Sequence, residues 1–211
     1  MSFVMLESGT YYHHETIHGA RLRDRMPRSV YVPDLTKADI AGCSAVLVAD
    51  RINPVAMQRK RRILMDYLFG GGTLVVLGEN HVQDWVPGMN WEFRPTNFWW
   101  WLEQGADPGH RIREPDHPIF RHVAPRDVVW HYHGLMHPPE GARSLVDITP
   151  VADPEGKGGS ILYDHTGLGN GGRLVVSCLD PVYHHGSFFM PAASRFLTGL
   201  LDWMHAEFGR P

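Results

Sequence analysis

The chain has 211 residues, a formal charge of −3 at neutral pH and 43% hydrophobic residues. That apolar share supports a real core and excludes wholesale disorder. The mildly negative balance gives no electrostatic reason to expect nucleic acid or an anionic membrane as partner.

Phe3 to Leu6 reads as a first strand, with Glu7-Ser8-Gly9 leaving its end. Tyr11 to Arg25 is polar and rich in His, and predicts a loop followed by a helix. Val30 to Val32 predicts a short strand stopped by Pro33. Ala45 to Ala49, AVLVA, is a buried strand ending at Asp50. Asn53-Pro54 then opens a helix: Asn accepts a free backbone N–H as N-cap, and Pro suits the first turn. The helix runs to about Phe69, carries Ile63, Leu64, Tyr67 and Leu68 as its apolar stripe, and stops at Gly70.

Thr73 to Leu77, TLVVL, lies between Gly70-Gly71-Gly72 and Gly78. Such a run is typical of a parallel strand buried on both faces. With the preceding strand and helix it predicts a right-handed βαβ unit. From residue 81 to 149 the alternation fails and Trp, Pro, His and Gly dominate. This predicts an elaborated insertion, with short strands near Val128-Val129-Trp130 and from Ser144 to Ile148. Order returns with Ser160 to Tyr163, a hairpin turn at Gly167 to Gly172 and the strand Arg173 to Leu179. Asp180 to Ser187 is expected as a connection. A final helix starts near Pro191 and carries Phe196, Leu197, Leu200, Leu201 and Met204 at helical spacing.

This length fits one domain over residues 1–211. No apolar stretch approaches the roughly 20 residues that span a bilayer. MSFVMLESG does not look like a secretion signal. Cys43 and Cys178 form no disulfide framework, so a reducing cytoplasm is the expected compartment.

Three segments carry a family resemblance: AVLVADRINPVAMQRKRRILMDYLFGGGTLVVLGEN, GLGNGGRLVVSCLDPVYHH and FFMPAASRFLTGLLDWM. Together they resemble the class I glutamine amidotransferase-like superfamily. The chain is most similar to its non-amidotransferase branches, such as the trehalose-utilisation family (ThuA-like proteins) and β-galactosidase trimerisation domains. The resemblance implies an α/β, flavodoxin-like three-layer sandwich with a mainly parallel sheet. Active amidotransferases of this class place a cysteine after Gly-x on the strand-to-helix elbow. Here Gly78-Glu79 is followed by Asn80, and an amide forms no glutamyl thioester. The family's catalytic His is followed closely by Pro and an acid. Here His184 or His185 stands in that place, with Gly186 and Ser187 next. The resemblance therefore implies a pocket without amidotransferase chemistry.

In open α/β sheets, ligands sit at the carboxyl ends of the strands. Glu79, Asn80 and His81 are delivered there, with His184 and His185 as convergent partners. They form a candidate acid–base site, or else a polar rim bonded to loop backbone. Glu7, Asp50 and Asp180 end neighbouring strands; Asp180-Pro181 also reads as an ordinary turn starter. For a divalent metal the candidates are His131, His133 and His137, since alternate strand residues share a face, with His117, His122 or a carboxylate as a further ligand. Trp99, Trp100 and Trp101 follow Phe98. They are candidates for a lid on their own domain, an oligomer contact or a carbohydrate platform. Arg59 to Arg62 is read as a solvated helix face and no nucleic-acid patch.

These residues leave two function classes open. The first expectation is a non-catalytic binding or assembly module that contacts a protein partner or a sister subunit. The alternative is an enzyme of carbohydrate or small-molecule metabolism that uses Glu79 and histidines, with or without a metal. The two separate on whether Glu79 and His184 or His185 lie within hydrogen-bond reach, directly or through one water, inside a concave pocket.

Overall fold

The computed structural model describes residues 3–95 and 102–209. Trp99, Trp100 and Trp101 lie outside the described residues. Among the described residues, ten strands form one mixed sheet flanked by helices.

Half of the sheet is parallel. Its strands are β1 (Phe3–Glu7), β2 (Arg28–Tyr31), β3 (Ala45–Val48), β4 (Thr73–Val76) and β10 (Gly172–Ser177), in the order β2-β1-β3-β4-β10. The central strands β3 and β4 are buried along their whole length. They are near-continuous apolar runs because both faces are covered. Between them runs α3 (Pro54–Phe69). The Asn53 side chain accepts the Val55 N–H at 2.9 Å and the Ala56 N–H at 3.3 Å, capping α3 as its sequence requires. Met57, Leu64, Met65 and Leu68 face inward, with Ile63 and Tyr67 packed at the margin. The closing helix α6 (Pro191–Phe208) buries Phe196, Leu197, Leu200, Leu201 and Met204, joined by Trp203.

The other half of the sheet is antiparallel. β9 (Gly159–Leu168) pairs with β10 through the glycine-rich hairpin turn, and β7 (Gly134–Met136) and β5 (Trp91–Phe93) continue outward. β8 (Arg143–Ile148) also pairs with β9, and β6 (His110–Ile112) pairs with β8. The region read as an insertion thus extends the sheet. A mainly parallel sheet describes only the first half.

Local differences have local causes. The segment Val128–Trp130 is no strand. Pro125–Asp127 forms a 3-10 turn, and the Trp130 indole N–H donates to the Asp127 carbonyl at 2.9 Å, which folds the segment back. Helix α1 (Tyr11–His18) occupies the start of the stretch read as a loop, three residues after the first strand. The stretch after Asp180 is a short helix, α5 (Pro181–Gly186). Two further short helices are α2 (Lys37–Ile40) and α4 (Val82–Trp85). Among the described residues, no helix is long and apolar enough to cross a membrane.

Candidate functional site

The carboxyl ends of β3, β4 and β10 deliver Asp50-Arg51, Glu79-Asn80 and Asp180 to one edge. Gly78 lets them approach. Its φ is +56°, and a Cβ there would stand 2.5 Å from Asp50 Cβ and 2.9 Å from Asp180 Cβ. The left-handed turn and the missing side chain are both needed.

Asp50 and Asp180 are fully buried and divide the work. Asp50 accepts the backbone N–H groups of Val182 at 2.7 Å and Tyr183 at 3.0 Å, so it caps α5 from another strand. Asp180, which begins that helix, makes no cap bond of its own. Its carboxylate is therefore available to side chains. Arg51 grips Oδ2 through Nε at 2.9 Å and Nη2 at 2.7 Å. Oδ1 lies 3.2 Å from His184 Nε2, yet has no hydrogen-bond partner among the described residues. His184 Nε2 also faces His131 Nε2 at 2.8 Å.

The electrostatics follow from this layout. Burial and the neighbouring Asp180 push the Asp50 carboxyl well above the usual range, against two backbone N–H donors. Burial raises Asp180 too, but contact with His184 and Arg51 outweighs it and holds the group below its ordinary value. Burial, then the adjacent His184, pushes His131 down to about 3, so its ring is neutral. Trp130 and Phe189 pack edge-on against His184, at ring centroid distances of 5.4 and 4.4 Å, and give the cluster an apolar wall.

Glu79 stands in front of this buried group. Its Oε2 is 3.1 Å from Arg51 Nη2, and its Oε1 is 3.6 Å from His133 Nδ1. Arg51 also stacks on the Tyr183 ring, 4.1 Å from its centroid. A cleft of about 500 Å³ opens here, lined by Arg51, Glu79, His81, Trp91 and Phe93 among others. Two backbones at the rim, Arg51 (φ +56°) and His81 (φ +47°), are left-handed without being glycine. Such strain gathers at functional sites.

The sequence-based candidates separate in space. Glu79 and His184 both reach the Asp180 hub, Glu79 through Arg51. Asn80 is buried and committed to backbone. Its Oδ1 accepts the Ile52 N–H at 2.8 Å, and its Nδ2 donates to the carbonyls of Leu77, at 2.7 Å, and Ala49. It braces the turn and presents nothing to the cleft. His81 is half exposed on the rim, 3.6 Å from Asp84. His185 points away, to Ser194 Oγ at 2.9 Å. The metal trio is not gathered as expected. His131 and His133 sit in the loop before β7 with ring centroids 5.1 Å apart, while His137 meets Glu92 at 3.4 Å. His117 pairs with Asp164 at 3.2 Å, and His122 is exposed. Glu7 turns back to the Gly9 N–H.

Two triplets have ligand atoms within 4.8 Å of one another: His131, Asp180 and His184, and Glu79, His133 and Asp180. Sequence reasoning missed Arg51 and undervalued Asp180. The available signal was the spacing of Asp180 and His184, four apart on a helix opened by Pro181, which places both on one face.

No protein-family model matches the chain, and no curated protein does. Solved structures do. A ThuA-like protein from Bacteroides uniformis aligns with a TM-score of 0.55 at 10% identity, over 99% of this chain and 92% of its own. A cytoplasmic protein from Salmonella typhimurium aligns with a TM-score of 0.55 at 12% identity, over 96% and 98%. The mmIFT52 N-terminal domain aligns with a TM-score of 0.54 at 12% identity, over 100% and 98%. At these identities the likeness shows the fold alone.

Proposed function

We propose that the protein is an enzyme of small-molecule metabolism whose working site is the carboxyl rim of β3, β4 and β10. One observation carries this reading: Glu79 meets Arg51 and His133 at the head of a cleft of about 500 Å³. In this reading Glu79 is the general acid or base, and His133 is its partner in moving a proton. Arg51 does not greet substrate. It already spans two carboxylates, and it fixes Glu79 relative to the buried Asp180. Trp91 and Phe93 line one wall and favour a small molecule with a flat or apolar face beside its polar groups. The ThuA-like fold and the absence of a sulfur nucleophile at position 80 fit a remodelled site that does not hydrolyse glutamine. The superfamily assignment, a flavodoxin-like arrangement and a cytoplasmic setting belong to the same proposal.

Saturation-transfer NMR against a library of polar metabolites tests it. Binders of the wild type should lose their signal in Glu79→Gln with the fold intact. Binders indifferent to Glu79 would place the site elsewhere.

A docking-module reading has one observation in its favour: Tyr11, Phe188 and Phe189 are 66%, 71% and 47% exposed. Sedimentation of the wild type and Phe188→Ser tests it. A self-association lost in the variant would support it.

A further inference from the structure

We propose that His131 Nε2, His184 Nε2 and Asp180 Oδ1 together hold one zinc ion. This deepens the reading of the rim as a working site.

The three atoms converge from two distant parts of the chain. His131 comes from the loop before β7, Asp180 from the end of β10 and His184 from α5. Tetrahedral zinc with ligands near 2.0–2.1 Å sets its ligand atoms about 3.3 Å apart. Asp180 Oδ1 and His184 Nε2 already stand at 3.2 Å. The two imidazole nitrogens stand at 2.8 Å and need to open by only about 0.5 Å. Facing each other, these nitrogens share at most one proton, and the carboxylate oxygen beside them is buried 3.2 Å from His184 Nε2 with no other hydrogen-bond partner among the described residues. A cation at the centre serves all three lone pairs at once, which a proton cannot do.

The surroundings fit a metal ligand set. Arg51 holds Asp180 Oδ2 and leaves Oδ1 as the ligating oxygen, the outer-shell hydrogen bond such carboxylates usually have. Trp130 and Phe189 pack edge-on against His184 and hold its ring in place. Two imidazoles and one carboxylate suit zinc among the common divalent ions; calcium and magnesium favour all-oxygen sets. The second triplet lacks room for the same role. Arg51 Nη2 lies 2.7 Å from Asp180 and 3.1 Å from Glu79, so the cation between those carboxylates is the guanidinium. Three protein ligands leave a fourth position for water or substrate, and zinc-bound water gives up its proton near neutral pH.

The test uses the full chain stripped with a chelator, then titrated with Co²⁺ and with Zn²⁺. One Co²⁺ per chain should bind with the intense visible absorption of a tetrahedral site, and Zn²⁺ should displace it. His184→Gln and Asp180→Asn should each weaken binding more than 10-fold, while His137→Gln and His185→Gln leave it unchanged. Zn²⁺ should raise the melting temperature of the wild type and of Glu79→Gln, but not that of Asp180→Asn. No stoichiometric metal, or binding that survives His184→Gln and fails in His137→Gln, overturns the proposal. If metal is absent while Glu79-dependent ligand binding persists, the zinc falls and the enzyme reading stands. If metal binds while no ligand responds to Glu79, the reverse holds.

Discussion

His13 should make the protein acid-sensitive well above the range in which carboxylates titrate. Its ring is fully buried in α1. Nδ1 accepts the Ser8 N–H at 3.0 Å, and Nε2 donates to the Asp50 carbonyl at 2.8 Å. That pairing fixes one neutral tautomer, and a second proton on Nδ1 would break the bond to Ser8. Burial accordingly pushes the group from 6.5 down to about 4, against the raising effect of its bond to Asp50. In the unfolded chain the ring binds a proton as pH falls through 6.5, while the native ring waits until about 4. The unfolded state therefore binds more protons in that window, and stability falls with falling pH. The shift corresponds to roughly 3.4 kcal/mol in full, of which about 2 kcal/mol is already lost at pH 5. Urea unfolding at pH 7.5 and pH 5.0 checks this. The wild type should lose about 2 kcal/mol more than His13→Gln over that interval. Proton NMR of the wild type supplies the direct reading, with a His13 ring signal that does not titrate above pH 5. A midpoint near 6.5, or equal losses in wild type and variant, would refute the reasoning.

Two further outcomes rest on the turn from Gly78 to Asn80. Gly78→Ala adds a Cβ at φ +56°, 2.5 Å from Asp50 Cβ, and should cost about 2–5 kcal/mol from left-handed strain and overpacking, read as a lower urea midpoint. Asn80→Ala strands the Ile52 N–H and two carbonyls, and should cost about 2–4 kcal/mol by the same assay, whereas a binding role would leave stability unchanged.

The parallel half of the fold was legible because its signals are local. AVLVA and TLVVL are apolar along their whole length, Asn53-Pro54 is a cap, and α6 repeats its apolar residues every three or four positions. β5, β6 and β7 are only three residues each and show no alternation, because pairing with already formed neighbours, not their own pattern, holds them. Gly134 illustrates the point. The Trp91 indole lies where its Cβ would be, a fit that only the tertiary fold reveals. At the site, the strand-end rule located Glu79 and Asn80 but could not tell a side chain facing the cleft from one bonded to backbone. Asp180 reads as a turn starter because Arg51, which grips its carboxylate, is distant in sequence. The spacing of His131, His133 and His137 suggested a common face. The loop takes the first two toward Asp180 and Glu79, and β7 carries the third to Glu92.

The central claim, that the carboxyl rim performs chemistry through Glu79, is tested most directly by turnover. Wild type and Glu79→Gln are incubated in parallel with a small-molecule extract, and the composition is followed by mass spectrometry. At least one compound should be consumed by the wild type and spared, by 100-fold or more in rate, by the variant. Consumption at equal rates by both proteins would contradict it.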